Sequence, residues 1–597
     1  MGASFERAGS RRALLWLAAL KILALVLVFD PAGGVPFDLP KSLASRAFEW
    51  AIAGVLLLAL LAYGRGIVPR TRLHAAIAAL AGTSVIASLV AAEPYVAVFG
   101  EQDRYLGLTY LGDMLLLYLA IAIAVRSAKD VALLLGAIGL AGMLAGGYAV
   151  VQALGADPFT WAVDPRSRPF ATFGNPDQFG HFIAVAFAVA FGALIAATRP
   201  RARAIAGAGA LGALGIAGLV ATRGSLVGIA GAVAGAVAVR RPAGRAVLAG
   251  GAGAVALAAL LLLTPLGQRT VATLQGVAVG DRITLYAIAA RATLTRPLFG
   301  YGPDNFRAAF VTHRTAESLP ILSAGPETSA HDWLLDASAT TGFVGLAALL
   351  VVVGLGTVEL VALARTRPEA GLPLLVGWSA HWANALVDVG SVGVGWFPWL
   401  ALGVAAALRG TKDESTSRRV PRWVPTAIAV VAIAGIATGT RAFAANRESW
   451  AAAEAAHFGD SGAAIALADR AAARDGGRAD YWNRLGLALE SQRRWGDAAA
   501  AYRTAASRER FEPVYWTNLA RALARVALAG QTGAQADALA AAREAVAVDP
   551  NAPAGHLALA EIATAFGSCD LARSEAAVAA TLQSGHDDFV TRAAACR

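Results

Sequence analysis

Residues 179–240 read FGHFIAVAFAVAFGALIAATRPRARAIAGAGALGALGIAGLVATRGSLVGIAGAVAGAVAVR. Three apolar stretches are separated by a basic turn at Arg199, Arg201 and Arg203 and by a tight turn at Arg223. Each stretch has the length an α-helix needs to cross a hydrocarbon layer of ~30 Å. AGAGALGALGIAG and GIAGAVAGA place small residues four apart, which lets helices approach closely in lipid, where packing replaces the hydrophobic drive.

The same pattern extends outward from this stretch. The 597 residues are 57% hydrophobic and 15% charged, too apolar for a soluble protein of several domains. Apolar runs of about 17 to 25 residues begin near residues 13, 47, 74, 109, 131, 179, 204, 224, 246, 340, 371, 392 and 424. These predict an all-α, polytopic transmembrane helix bundle of about thirteen helices over residues 1–442. The first run, Ala13 to Phe29, follows Arg11 and Arg12 but leads into Asp30-Pro31 rather than a small-residue cleavage site, so it reads as a retained helix.

Every second connection is basic: Arg7, Arg11 and Arg12; Arg65, Arg70 and Arg72; Arg126 and Lys129; Arg199 to Arg203; Arg240, Arg241 and Arg245; Arg365 and Arg367; Arg409 to Arg422. Such loops stay in the cytoplasm. The alternate loops, Glu93 to Arg104, Asp157 to Asp177 and Leu266 to Asp332, mix acids with bases and are predicted to face outward. The N-terminus is then inside a cytoplasmic (inner) membrane, and an odd number of crossings puts the tail outside. This placement of the +10 net charge argues for lipid headgroups and against nucleic acid as a partner.

From residue 443 to 597 the chain is charged and rich in Ala. Trp450, Trp482, Trp516 and His556 recur at about the 34-residue tetratricopeptide period. Trp482, Leu485, Gly486 and Leu489, followed by Ala498, Tyr502 and Ala505, alternate large residues on one helix with small ones where the next crosses it. An extracytoplasmic TPR α-solenoid is predicted, with a groove for a protein or peptide partner. Cys569 and Cys596 lie in its last repeat, and an oxidising compartment would favour a bridge between them.

Candidate chemistry sits in the outward loops. Arg104 lies in GEQDRYLGL. Arg168 precedes Asn175, which can cap the helix opened by Pro176. Arg223 lies in ATRGSLVG, Arg282 follows Asp281 at a helix start, Arg307 closes PLFGYGPDNFR, and His331 begins HDWLLDASATTGFVG. His381, Asn384 and Asp388 lie in or beside an apolar helix, where internal hydrogen bonding is the simplest reading.

GNPDQFGHF, TRGSLVGIAG, the run from Arg282 through RPLFGYGPDNF, and HDWL followed by TGFVG resemble the successive signatures of the O-antigen ligase and polymerase family, across roughly residues 90 to 405. Two positions depart from the family pattern: Asp332, where Asn is common, and Thr341, where an acid is common. The resemblance implies transfer of a glycan from a polyprenyl-diphosphate carrier to a glycan, lipid or protein acceptor at the outer face of the membrane, with inversion and without a metal. Ligation is the first reading, with polymerisation or protein O-glycosylation as alternatives.

The residue chemistry agrees. Arginine binds phosphate oxygens through two parallel hydrogen bonds, and Arg223 and Arg282 are the candidates to stabilise the diphosphate leaving group. His331 is the candidate base for the acceptor hydroxyl. Arg104, Arg168, Asn175 and Arg307 are candidate substrate contacts. The outer-loop acids have no metal-ligand spacing, so neither metal nor cofactor is expected. A transporter or a membrane scaffold without catalysis is the rival class, but a transporter would gather its ionisable groups at the midplane.

Overall fold

A computed structural model describes residues 2–240, 268, 280–322, 325–411, 420–421, 423–531, 533–583 and 587–596. Among these residues the protein is helical, and the one extended pairing is an isolated bridge between Arg70 and Thr411. The membrane part opens with α1 (Gly2–Leu27), α2 (Asp38–Tyr63), α3 (Leu73–Leu89), the short α4 (Pro94–Phe99), α5 (Leu108–Ala124) and α6 (Ala128–Ala153). It continues with α7 (Pro176–Ala196), α8 (Pro200–Val220) and α9 (Arg223–Arg240). The helix expected from about residue 246 lies outside the described residues. After it come α10 (Gly280–Thr295), α11 (Phe306–His313), α12 (Trp333–Thr366), α13 (Pro368–Ala385) and α14 (Phe397–Arg409). Six of the described helices are long and apolar enough to cross a membrane.

Local chemistry sets the helix ends. Ser127 and Asp130 form a capping box at α6. The Asn175 side chain accepts from the Asp177 amide at 2.8 Å, and Pro176 supplies the pre-set first turn of α7. The first helix is part of the bundle: Leu14, Ala18, Ile22 and Leu25 are buried in the main core.

The two glycine-rich helices behave differently. In α9, Gly228, Gly231 and Gly235 press on α13, and a Cβ on Gly231 would lie 2.5 Å from the Ala383 Cβ. In α8, Gly212, Gly215 and Gly218 meet nothing within 4 Å. The close-approach reading therefore holds for α9 only. Helix α8 packs through Ala210, Ala217 and Val220, with Gly207 and Gly209 in ordinary contact with α7, and turns Gly212, Gly215 and Gly218 away from the bundle.

Helix α12 is interrupted at Gly342, where φ is +69°. The loop from Pro297 fills the break: the Phe343 amide donates to the Pro297 carbonyl at 2.7 Å, and the Gly302 amide to the Thr340 carbonyl at 2.7 Å. A Cβ at Gly342 would meet the Leu298 backbone at 2.3 Å, so only glycine permits this crossing.

The basic connections meet at one end of the bundle, where Arg11 pairs with Asp130 at 3.1 Å and the Arg70 amide bonds the Thr411 carbonyl. The acidic-and-basic loops gather at the other end, under the tail. The tail begins within α15 (Trp423–His457), one unbroken helix of 35 residues. Its last part pairs with α16 (Ser461–Arg474), and three more helix pairs follow: α17 (Ala479–Ser491) with α18 (Trp495–Arg508), α19 (Pro513–Leu528) with α20 (Ala534–Val548), and α21 (Pro553–Ala565) with α22 (Cys569–Leu582). A last helix, α23 (Asp587–Ala594), covers the end and is tied back by a Cys569–Cys596 disulfide, with Cα atoms 5.4 Å apart. Gly486 admits the Tyr502 ring, the small-against-large contact read from the repeat.

The solenoid touches the membrane part through the turns between its repeats. Arg478 donates to the Gly100 carbonyl at 2.7 Å and lies over the rings of Tyr95 and Tyr105. Glu512 pairs with Arg307. Asp549 holds Arg314 through Nε at 2.7 Å, and both are buried.

Candidate active site

Three elements converge above the bundle: the loop before α7, the start of α10, and the loop that leads into α12. His331 is in the left-handed region, φ +57°, a conformation that costs a non-glycine residue energy and persists only when its surroundings hold it. Here the Ser329 hydroxyl accepts the His331 amide at 3.0 Å and donates to Asp336 at 2.6 Å, while Asp336 also accepts from the Ala330 amide at 2.7 Å. Asp332 caps α12 by accepting from the amides of Leu334 and Leu335.

Arg104 locks this loop from below. It is 8% exposed, donates to the Thr328 carbonyl, and faces Asp304 at 3.4 Å and Asp336 at 3.6 Å. Burial pushes the Asp304 carboxyl up to about 6, with Arg104 beside it opposing the rise. Tyr105 and Asp304 also have positive φ, so three strained residues surround one buried guanidinium.

The imidazole of His331 is partly exposed, with Nε2 4.0 Å from Glu327. Burial, and then the charge of Arg282, hold it below the ordinary histidine range despite Glu327, Asp336 and Asp388. That direction favours the neutral imidazole, the form a general base uses. Arg282 donates to the Val387 carbonyl at the end of α13. Asp177 lies within electrostatic reach of Asp388, Arg168, Arg282 and His331. Arg168 pairs with Asp177 at 3.1 Å and keeps its buried Nε without a partner. Asn175 is exposed at the mouth of this cleft, which measures about 360 Å³ and also takes in Asp38, Asp103, Gln178 and Glu327.

Beneath it, His181 bonds Asp388 at 3.2 Å through Nδ1 and His381 at 3.1 Å through Nε2, joining α7 to α13. His381 and Asp388 thus bond internally, as expected. Asn384 does not: both of its polar side-chain atoms are buried without a partner, facing Gly224. Arg223 is half-buried at the start of α9 beside that amide and forms no ion pair among the described residues.

Of the residues singled out from sequence, His331, Arg282, Arg168 and Asn175 come together, and Arg223 lies beside Asn384 of α13. Arg104 and Arg307 each line a cavity but are also engaged by carboxylates: Arg104 faces Asp304 and Asp336, and Arg307 bonds Glu101 at 2.9 Å as well as Glu512. Arg104 positions the His331 loop, and Arg307 joins membrane part to solenoid. His181 and Gln178 were passed over although both lie in GNPDQFGHF. The usable signal was their phase on α7: one helical turn apart, they face the same buried side. Among the described residues no group of three His, Cys, Asp or Glu side chains is arranged to hold a metal.

The fold is that of a multispanning membrane protein, with strained, charged loops gathered at the end of the helix bundle that carries His331. Residues 180–350 match the family model described as O-antigen ligase, Wzy_C, and over this stretch the chain is similar to that family, which supports a general role in lipid-linked glycan transfer with glycosyltransferase-type chemistry. A crystal structure of a thermophilic TPR protein from Thermus thermophilus is similar over 25% of this chain and 81% of that chain, at 17% identity and a TM-score of 0.23. No curated protein matches.

Proposed function

We propose that the protein transfers a glycan from a polyprenyl-diphosphate carrier to an acceptor hydroxyl at the outer face of the cytoplasmic membrane, as a ligase. The observation that supports this reading is that His331 lines a cleft at one end of the bundle, with Arg282 and Arg168 within electrostatic reach of it or of the neighbouring Asp177. The acceptor oxygen attacks the anomeric carbon as the bond from that carbon to the diphosphate oxygen breaks. The electron pair leaves with the diphosphate, whose growing charge Arg282 and Arg223 stabilise, and His331 takes the hydroxyl proton. Attack opposite the leaving group inverts the anomeric centre. The charge on the leaving group is met by guanidinium groups, so the step as written requires no metal.

In this reading residues 1–442 form the catalytic membrane domain, with the ligase-like core over about 90–405. The N-terminus is cytoplasmic, and residues 443–597 form a TPR domain outside. Deleting the gene and analysing the lipid-linked glycans that accumulate tests the reading. Complete chains left on the carrier support ligation, unpolymerised single units would make the enzyme a polymerase, and no accumulation would overturn the transferase assignment.

A further inference from the structure

The cleft at His331 does not end at the membrane part. A second cavity of about 300 Å³ shares Gly34, Val35 and Asp103 with it and runs between the outer loops and the first two repeats. Its far wall is the solenoid: Ser449 of α15, and Asp480, Asn483 and Arg484 of α17. The shared wall is itself held by the solenoid. The Val35 amide donates to the Asn446 side chain at 2.9 Å, that side chain donates back to the Val35 carbonyl, and Arg447 pairs with Asp30 at 2.8 Å.

The lining is polar and incompletely satisfied. Gln178 in the cleft and Gln102 in the second cavity each bury a side-chain carbonyl oxygen that has no hydrogen-bond partner, an arrangement rare in proteins unless something else fills it. Both orphaned oxygens are hydrogen-bond acceptors, and both residues line cavities rather than the packed core. A ligand rich in hydroxyl groups would donate to them, accept from Arg484 and Asn483, and bring no net charge into a cavity that already holds both signs.

We infer that the cavity between the outer loops and the first two repeats is a saccharide subsite continuous with the His331 cleft, so that the solenoid binds sugar units of the glycan being joined. This rests on the transferase reading for the direction in which the glycan runs, but not for the binding itself. The shared chemistry, a neutral polyhydroxylated chain, belongs to donor and acceptor alike.

The test uses the full-length protein in lipid nanodiscs and, as probe, oligosaccharides released by mild acid from the envelope polysaccharide of the producing strain. Binding is read by saturation-transfer NMR and titration. Gln102→Leu and Arg484→Ala, on opposite walls, should each weaken binding roughly tenfold, the effect of one lost hydrogen bond whose partner stays buried. Leu487→Arg at the exposed rim should block it by bulk without touching the core. Separate titrations with undecaprenyl-diphosphate-linked single units and with the free oligosaccharides distinguish the sources. Weakening confined to the lipid-linked probe assigns the subsite to the donor, and weakening confined to the free chain assigns it to the acceptor. Wild-type affinity in all three crevice variants overturns the subsite, as does a wild-type protein that binds no oligosaccharide or a photo-crosslinker at Asn483 that captures only protein. If the crevice variants lose binding while the protein moves no glycan, the subsite stands and the transferase reading falls.

Discussion

The seam between solenoid and membrane part and the cleft at His331 use the same residue types to opposite ends. In the seam, Arg307, Arg314 and Arg478 are enclosed by carboxylates, carbonyls and aromatic faces, and their charges are used up. Near the cleft the arginines have fewer partners: Arg282 donates to the Val387 carbonyl, Arg168 pairs with Asp177 and leaves its Nε unpartnered, and Arg223 precedes Gly224, which faces the unsatisfied Asn384 amide. Burying a cation requires a close partner, because desolvation otherwise outweighs what the charge returns. A cation meant for a ligand has to forgo that partner. The same arginine-rich loops thus divide into groups that hold the protein together and groups that, in the proposed reading, meet the donor's phosphates.

The largest effect should come from the cleft. His331→Ala is expected to lower turnover by about 10² to 10⁴-fold with an unchanged unfolding temperature, since the imidazole is partly exposed and its loop is held by Ser329 and Asp336. A drop of several degrees without a rate effect would erase the contrast between the two regions. In the seam, Arg314→Met should leave Asp549 buried and unpaired, at a cost of about 3 to 5 kcal/mol to docking. Hydrogen exchange should rise in α19 to α21 while the membrane helices stay protected. Protection unchanged throughout would show the seam to be redundant.

Replacing Cys569 and Cys596 together by Ala should destabilise the final repeat by about 3 kcal/mol in the chain-entropy model. Proteolytic nicking near α23 reads this out, and transfer should persist because the bridge is remote from the cleft. The smallest effect is in pH. The folded His331 sits below ~6.5, so its neutral form persists as pH falls through that value and is lost only below it. The acid limb of the rate profile should therefore lie below that of an ordinary histidine. In Arg282→Ala, which removes a charge that lowers His331, this limb should move up. A limb that stays put would separate the two residues.

Much of the bundle was legible because lipid imposes a single length and composition on each crossing, and the basic loops mark alternate ends. The repeat was legible because Gly486 and Tyr502 have to meet in every such pair. What could not be read was pairing across long separations. Nothing near Arg307 announces Glu101 or Glu512, and the same outward loop supplied both Arg307 and Arg282. Nor does composition separate α8 from α9, since the face a glycine stripe turns toward is decided by neighbours. The three docking groups Arg478, Glu512 and Asp549 recur at about one phase of the repeat, which was visible in principle, but the first is a cation and the other two are anions, which hides the pattern.

Helix α15 carries one further consequence. Its 35 residues amount to about 52 Å of unbroken helix at 1.5 Å per residue, some 20 Å more than the hydrocarbon layer spans. A helix is stiff over that length, so the excess works as a mast with the solenoid clamped to its side. The distance of the array from the apolar half of the helix is therefore set by counting residues. Inserting a full helical turn between the apolar half and Asn446 would raise the mast by about 5.4 Å, pull Asn446 off Val35, and open a gap under every repeat at once.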